Sequence, residues 1–174
     1  MQKVVDELKS MNLSGSDLME LMDGKVEIMR QKDLYDYKDI YDAMGENKAV
    51  IILYESSKDF GHWCLVFEDD FGRLEFFDPY GDPPDKQLTY IKPEYLKKSG
   101  QVPYLKLLLK NSGKEVIYNG EQLQKLRKNT NTCGRHCALR LNLRELPLEN
   151  YVELITSDKN LEPDFWVSVL TGFL

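Results

Sequence analysis

The sequence predicts an α+β domain in which a mixed or antiparallel sheet is sandwiched by helices, and three observations carry that prediction. Val50-Ile51-Ile52-Leu53 is too continuously apolar for a surface hairpin and suits a buried central strand. Residues 62–68 and 73–77 alternate in polarity around a Glu68-Asp69-Asp70-Phe71-Gly72 turn, which reads as a β-hairpin. The last third of the chain carries helical spacing bounded by prolines, Pro147 at a helix end and Pro163 at a helix start.

Taken in order, Met1-Gln2-Lys3-Val4-Val5-Asp6-Glu7-Leu8 is amphipathic and charged. The N-terminal part, 1–48, reads as mostly helical from residue 10 onward. Ser16 is placed to cap a helix over 17–22, and Leu34, Tyr37, Ile40, Tyr41 and Met44 give residues 33–44 one apolar face. Residues 49–174 form the core that carries the chemistry, beginning with a strand over 49–54. Beyond Asp78, Pro83-Pro84 forces an extended loop, 93–98 suits a short helix, and Val116-Ile117-Tyr118 suits a strand. From Cys133 the chain is helical again. Leu139, Leu141, Leu143 and Leu146 make this the core helix, ended by Pro147. A helix over 148–157 follows, and Pro163 opens a last one through Phe165, Trp166, Val169 and Leu170.

Length and composition bound the function. A chain of 174 residues fits one compact domain, 1–174, with no repeat or linker to divide it. No stretch approaches the roughly 20-residue apolar run that spans a bilayer, and the N-terminus lacks a secretory apolar core, so neither a membrane partner nor secretion is expected. Three cysteines, an odd number, argue for free thiols. The net charge of −6 counts against a nucleic-acid-binding module. Lys106, Lys110, Lys114, Lys125, Arg127 and Lys128 leave a local basic strip, read as a solvated face, so nucleic acid is not required.

The chemistry centres on Cys133-Gly134-Arg135-His136-Cys137, entered from Asn131-Thr132. It puts a cysteine at the mouth of the core helix, where open amides and the positive end of the dipole favour an anion. A catalytic thiol needs a base, and the chain holds two histidines. His136 shares the helix with Cys133 and is poorly placed for orientation by a third group, so His62 is the better base. His62 enters the first hairpin strand and Asp78 leaves the second, which makes them neighbours across the ladder. An acid beside the imidazole completes a nucleophile, base and orienter set. The oxyanion needs a donor, and Gln124 precedes Cys133 by a short polar loop.

With Gly61-His62-Trp63, Phe76-Phe77-Asp78-Pro79-Tyr80-Gly81, Leu123-Gln124 and Asn131-Thr132-Cys133-Gly134-Arg135 in view, the chain resembles cysteine proteases of the adenovirus maturation protease and SUMO-protease clan. It is most similar to the maturation proteases of giant viruses, virophages and related DNA elements. The resemblance implies a papain-like fold with Cys133 as nucleophile, His62 as base, Asp78 as orienting acid and Gln124 as oxyanion donor. It also implies that Trp63 and Gly134 bind substrate, with Trp63 walling a narrow tunnel for glycine-like residues. Gln124 stands further from the cysteine than the family's glutamine, which leaves a small insertion in the loop 125–132. Gln122 and Asn129 are the rival donors.

The implied activity is endopeptidase cleavage after glycine-type sites. The implied substrate is a viral capsid or core precursor, processed in the virion or the cytoplasm of an infected cell. A deubiquitinase or SUMO-type deconjugase acting on a ubiquitin-like modifier is the alternative enzyme. An inactive module that captures glycine-ended tails is the alternative from another class. Plainer readings stand beside these: Cys133 as a small buried hydrophobe, Asp78 as a turn starter before Pro79, Trp63 as core, and Cys64 and Cys137 as packed thiols. Cys133, His136 and Cys137 supply at most three ligands on one helix, so no metal is expected, and no cofactor.

Overall fold

The computed structural model describes residues 2–172. Among them, five strands form one sheet in the order β1-β2-β3-β4-β5: β1 (Glu27–Arg30), β2 (Ala49–Ser57), β3 (Phe60–Glu68), β4 (Leu74–Phe77) and β5 (Val116–Tyr118). The sheet is mixed. β2–β3 and β3–β4 are antiparallel, while β1 joins β2 and β5 joins β4 in parallel. The helices are α1 (Gln2–Ser10), α2 (Gly15–Leu21), α3 (Ile40–Met44), α4 (Pro93–Ser99), α5 (Leu105–Asn111), α6 (Cys133–Asn142), α7 (Leu148–Thr156) and α8 (Pro163–Thr171). Among the described residues, no helix is long and apolar enough to cross a membrane.

Side chains of a strand point alternately to its two faces, and both faces here are covered. Ile51, Leu53, Trp63, Leu65, Phe67 and Phe77 pack with Cys137, Ala138, Leu141, Tyr151 and Val167 on one side. Val50, Ile52, Cys64, Val66, Leu74 and Phe76 pack with Leu34, Ile40, Met44, Leu105 and Leu108 on the other. This is why β2 reads as an unbroken apolar run. Each such side chain contributes about 1.5–3 kcal/mol of burial.

α6 is buried from Cys133 to Leu141. The deeper of its two buried arginines is matched: Arg140, 1% exposed, donates two bonds of 2.7 Å to the Glu75 carboxylate of β4. The Arg140 guanidinium also lies 5.1 Å from the Phe67 ring and 4.9 Å from the Tyr151 ring. The helix that opens with Cys133 is thereby bolted to the strand that ends just before Asp78.

The structure corrects several boundaries. The N-terminal part is not simply helical, because β1 lies within it, recruited by pairing with β2 rather than by any alternation of its own. The cap of α2 is Ser14, not Ser16; Ser14 and Asp17 form a reciprocal capping box. The helix expected over 33–44 is a 3₁₀ turn, Gln31–Asp36, followed by α3. Tyr37 is extended between them, and the Asp39 side chain caps α3 by accepting from the Tyr41 amide. α5 was not anticipated, although Leu105, Leu108 and Leu109 have helical spacing. α6 ends at Asn142 rather than at Pro147, and Arg140 Nη1 and Nη2 hold the turn that follows through the Leu143 and Leu146 carbonyls.

Candidate active site

β3 delivers His62, and the residue before it must be glycine. A Cβ on Gly61 would lie 1.9 Å from the Tyr54 carbonyl oxygen of β2, beside the register shift between Glu55 and Ser57. β4 pairs Phe77 with Leu65, so Asp78, the next residue, falls level with Cys64. His62 is two residues along the same face, within diagonal reach. Its Nε2 sits 2.7 Å from Asp78 Oδ1.

Asp78 is fully buried and held on every side. Gln87 Nε2 donates to its Oδ2 at 2.8 Å, and the Tyr80 amide donates to its Oδ1 at 2.7 Å. Asn119 brackets its backbone, accepting from the Asp78 amide at 3.1 Å and donating to the Asp78 carbonyl at 2.6 Å. The Tyr80 ring stacks on the imidazole.

Cys133 opens α6 and is 4% exposed. With His62 Nε2 engaged by Asp78, Nδ1 is the ring atom left for the thiol. Burial disfavours the imidazolium, but hydrogen bonds and negative charge from Asp78 and Cys133 outweigh it and raise the His62 pKa to about 9. Burial pushes the thiols of both Cys64 and Cys137 well above the ordinary thiol range, which disfavours their thiolates. Burial, together with charge on Cys133 and Asp78, pushes the Tyr80 phenol up to about 12.

His62, Cys133 and Gln124 border one pocket of about 180 Å³, with Asn12, Tyr80, Gln87 and Asn131 also on its wall. Of the three candidate donors, Gln124 is the buried one, 1% exposed, while Gln122 and Asn129 are exposed. Its amide spends one N–H on the Thr130 carbonyl at 3.2 Å, and its Oε1 has no partner among the described residues. The backbone amides of Leu123 and Gln124 both donate to the Pro79 carbonyl at 2.9 Å. The turn that carries Asp78 therefore also seats Gln124.

Trp63 and Gly134 pack on each other. A Cβ on Gly134 would lie 3.3 Å from the Trp63 ring and 3.2 Å from the Leu18 side chain. Trp63 is 4% exposed, donates from its indole N–H to the Leu13 carbonyl, and borders a second groove of about 350 Å³ with Gly15, Ile28, Arg30 and Asp59.

The expectation that His136 lacks an orienting group is corrected: its Nε2 lies 3.1 Å from the buried Asp164 Oδ1 of α8. Cys137 donates to the Trp63 carbonyl, so neither is joined to Cys133 as a ligand set. A different trio, His62, Cys64 and Asp78, brings its ligand atoms within 4.8 Å of one another. In the geometry present, imidazole and carboxylate share a hydrogen bond and burial keeps the Cys64 thiol protonated.

Sequence reasoning missed Tyr80, Gln87 and Asn119 as supports of the site. Tyr80 and Asn119 each stand next to a glycine of positive φ, Gly81 and Gly120, which marks tight turns. Gln87, in a 3₁₀ turn, carries no such signal.

No family model matches the chain, and no solved structure matches it. It is 38% identical over 163 residues to a protein of Sputnik virophage named uncharacterized protein V9, covering 91% of this chain and 93% of the relative. At that identity over nearly the whole of both chains, the chain belongs to the family of the Sputnik virophage protein V9.

Proposed function

We propose that this chain is a papain-like cysteine endopeptidase that cleaves after glycine-type residues and processes a viral capsid or core precursor. One observation carries the reading: an imidazole hydrogen-bonded to a buried carboxylate meets the only cysteine that opens a helix among the described residues, in a pocket shared with a buried glutamine amide. The virophage relative supports a viral setting for the substrate.

In this reading the Cys133 thiolate adds to the scissile carbonyl carbon. The oxyanion accepts from the Cys133 backbone N–H and from the second proton of Gln124 Nε2. The His62 imidazolium then protonates the leaving amine, the C–N bond breaks, and a thioester remains on Cys133. Water attacks that thioester with His62 taking its proton, and the thiolate leaves. Asp78 keeps the ring in the tautomer and orientation these transfers need.

The test is mass-spectrometric mapping of cuts made by wild type and Cys133→Ala in a mixture of capsid precursor and a Gly-Gly-linked ubiquitin-like conjugate. Cysteine-dependent cuts in the precursor are expected. Cuts confined to the conjugate would move the assignment to deconjugation, and cutting of neither would favour a module that binds glycine-ended tails.

A further inference from the structure

Asp164, in the first turn of α8, is 1% exposed and takes no part in the steps above. Its carboxylate nevertheless joins three places around the site. It accepts from the Lys125 backbone N–H at 2.9 Å, from the Thr132 hydroxyl, and pairs with His136 Nε2. Lys125 directly follows Gln124, Thr132 directly precedes Cys133, and His136 lies one turn into α6. One buried carboxylate thus ties the two halves of the oxyanion-binding site across the loop 125–132.

The same bonds orient Thr132 at the mouth of α6. A threonine at the position before a helix normally turns its side-chain oxygen onto the first amides. Thr132 occupies that position with φ −94 and ψ 2, yet its side chain caps nothing, and its hydroxyl donates to Asp164 instead. The amides such a cap would reach, those of Gly134 and Arg135, take no bond from it, and the Cys133 amide lies outside its reach.

We propose that Asp164 is a positioning residue that fixes Gln124 against Cys133 by holding Lys125 and Thr132 together, so that the oxyanion site is preformed. This rests on the peptidase reading, in which an oxyanion forms at Cys133. Arg127 and Glu162 reinforce the same arrangement with paired bonds of 3.0 and 2.7 Å between loop and α8 entry. On the other side, the Asn131 amide and side chain donate to the Lys9 and Ser10 carbonyls at the end of α1.

The full chain can be tested without knowing its natural substrate. With p-nitrophenyl acetate, the Cys133 thiolate adds to the ester carbonyl through an oxyanion and expels p-nitrophenolate to give an acetyl thioester. With iodoacetamide it displaces iodide, and no oxyanion forms. Asp164→Asn should slow the first reaction roughly 10- to 100-fold and leave the second within about twofold of wild type. In a Gln124→Ala background the same substitution should cost much less, because the group it positions is gone. Thr132→Val should reproduce the pattern and carries the test if Asp164→Asn does not fold. Equal slowing of both reagents, or a loss undiminished by Gln124→Ala, would overturn the proposal as a merely structural effect. Failure of the peptidase reading looks different: wild-type Cys133 would acylate no faster than an ordinary thiol, Gln124→Ala would change nothing, and this proposal would fall with it.

Discussion

The Tyr80 ring lies flat on the His62 imidazole, with 4.2 Å between centroids and 8° between planes. Asp78 Oδ1 meets both partners of this stack, taking the edge of the imidazole and the Tyr80 backbone amide. One short turn therefore holds the ring by its edge and by its face, and restricts both sliding and rotation.

Removing the face should cost orientation and little else. Tyr80→Ala should lower kcat roughly tenfold with a smaller change in KM, while Tyr80→Phe should stay near wild type, since the stack needs the ring and not the hydroxyl. Steady-state kinetics on a peptide substrate decides between them; an equal loss in both variants would assign the role to the phenol.

In the proposed peptidase reading, the His62 pKa, raised to about 9, would set the alkaline limit of activity. The imidazolium persists until the pH approaches that value, so the falling limb of the kcat/KM profile should lie near pH 9 rather than near the ordinary value of about 6.5. The apparent values belong to the Cys133–His62 pair, not to either residue alone. For folding, a raised histidine pKa stabilises fully below the unfolded value of about 6.5, and that gain is lost as the pH rises through about 9. An NMR titration of the His62 ring should show both features: a high midpoint in wild type and a lower one in Cys133→Ala. A wild-type midpoint near 6.5 would contradict the raised pKa.

How much of this was legible in the sequence depends on whether the cause was local. Val50 to Leu53 announced a strand covered on both faces, and the 68–72 turn announced the hairpin that brings His62 to Asp78. Cys133 announced a helix mouth through the helical pattern of leucines that follows it. β1 was illegible because Glu27–Arg30 becomes a strand only by pairing with β2, and the early end of α6 was hidden because Leu143 and Leu146 continue an apolar pattern that the Arg140 bonds redirect. Asp164 was illegible for a further reason. Its three partners are spread over residues 125–136, and only the packing of α8 brings them to it.

Asn119 should matter for stability as well as for geometry. Asn119→Ala leaves the buried Asp78 amide without its partner, at about 1–3 kcal/mol, while the Asp78 carbonyl keeps its bond from the Gly81 amide. Urea unfolding should show a loss of about 1–3 kcal/mol, accompanied by a fall in activity as Asp78 shifts beneath His62. Gln122→Ala, exposed and bonded only to the Gln124 carbonyl, should stay within about 0.5 kcal/mol of wild type.

The Arg140–Glu75 pair is the point where α6 is fastened to the sheet, and breaking it from one side should be worse than removing it. Burial already pushes the Glu75 carboxyl above its ordinary range, against the opposing pull of Arg140. Arg140→Met takes that pull away and strands a buried carboxylate, at a cost of about 3–5 kcal/mol at pH 7. The stranded group must then fold in its protonated form. A carboxyl whose folded pKa is raised contributes most below its unfolded value and progressively less as the pH rises through the folded one, so the variant should regain stability toward pH 4–5. The double variant Glu75→Leu/Arg140→Met removes the unpaired charge and should lose less at pH 7 than Arg140→Met alone. Denaturant unfolding of the three variants at pH 7 and at about pH 4.5 measures both effects. A double variant as unstable as the single one would mean that Arg140 acts through its contacts with Phe67, Tyr151 and the Leu143 and Leu146 carbonyls rather than through charge.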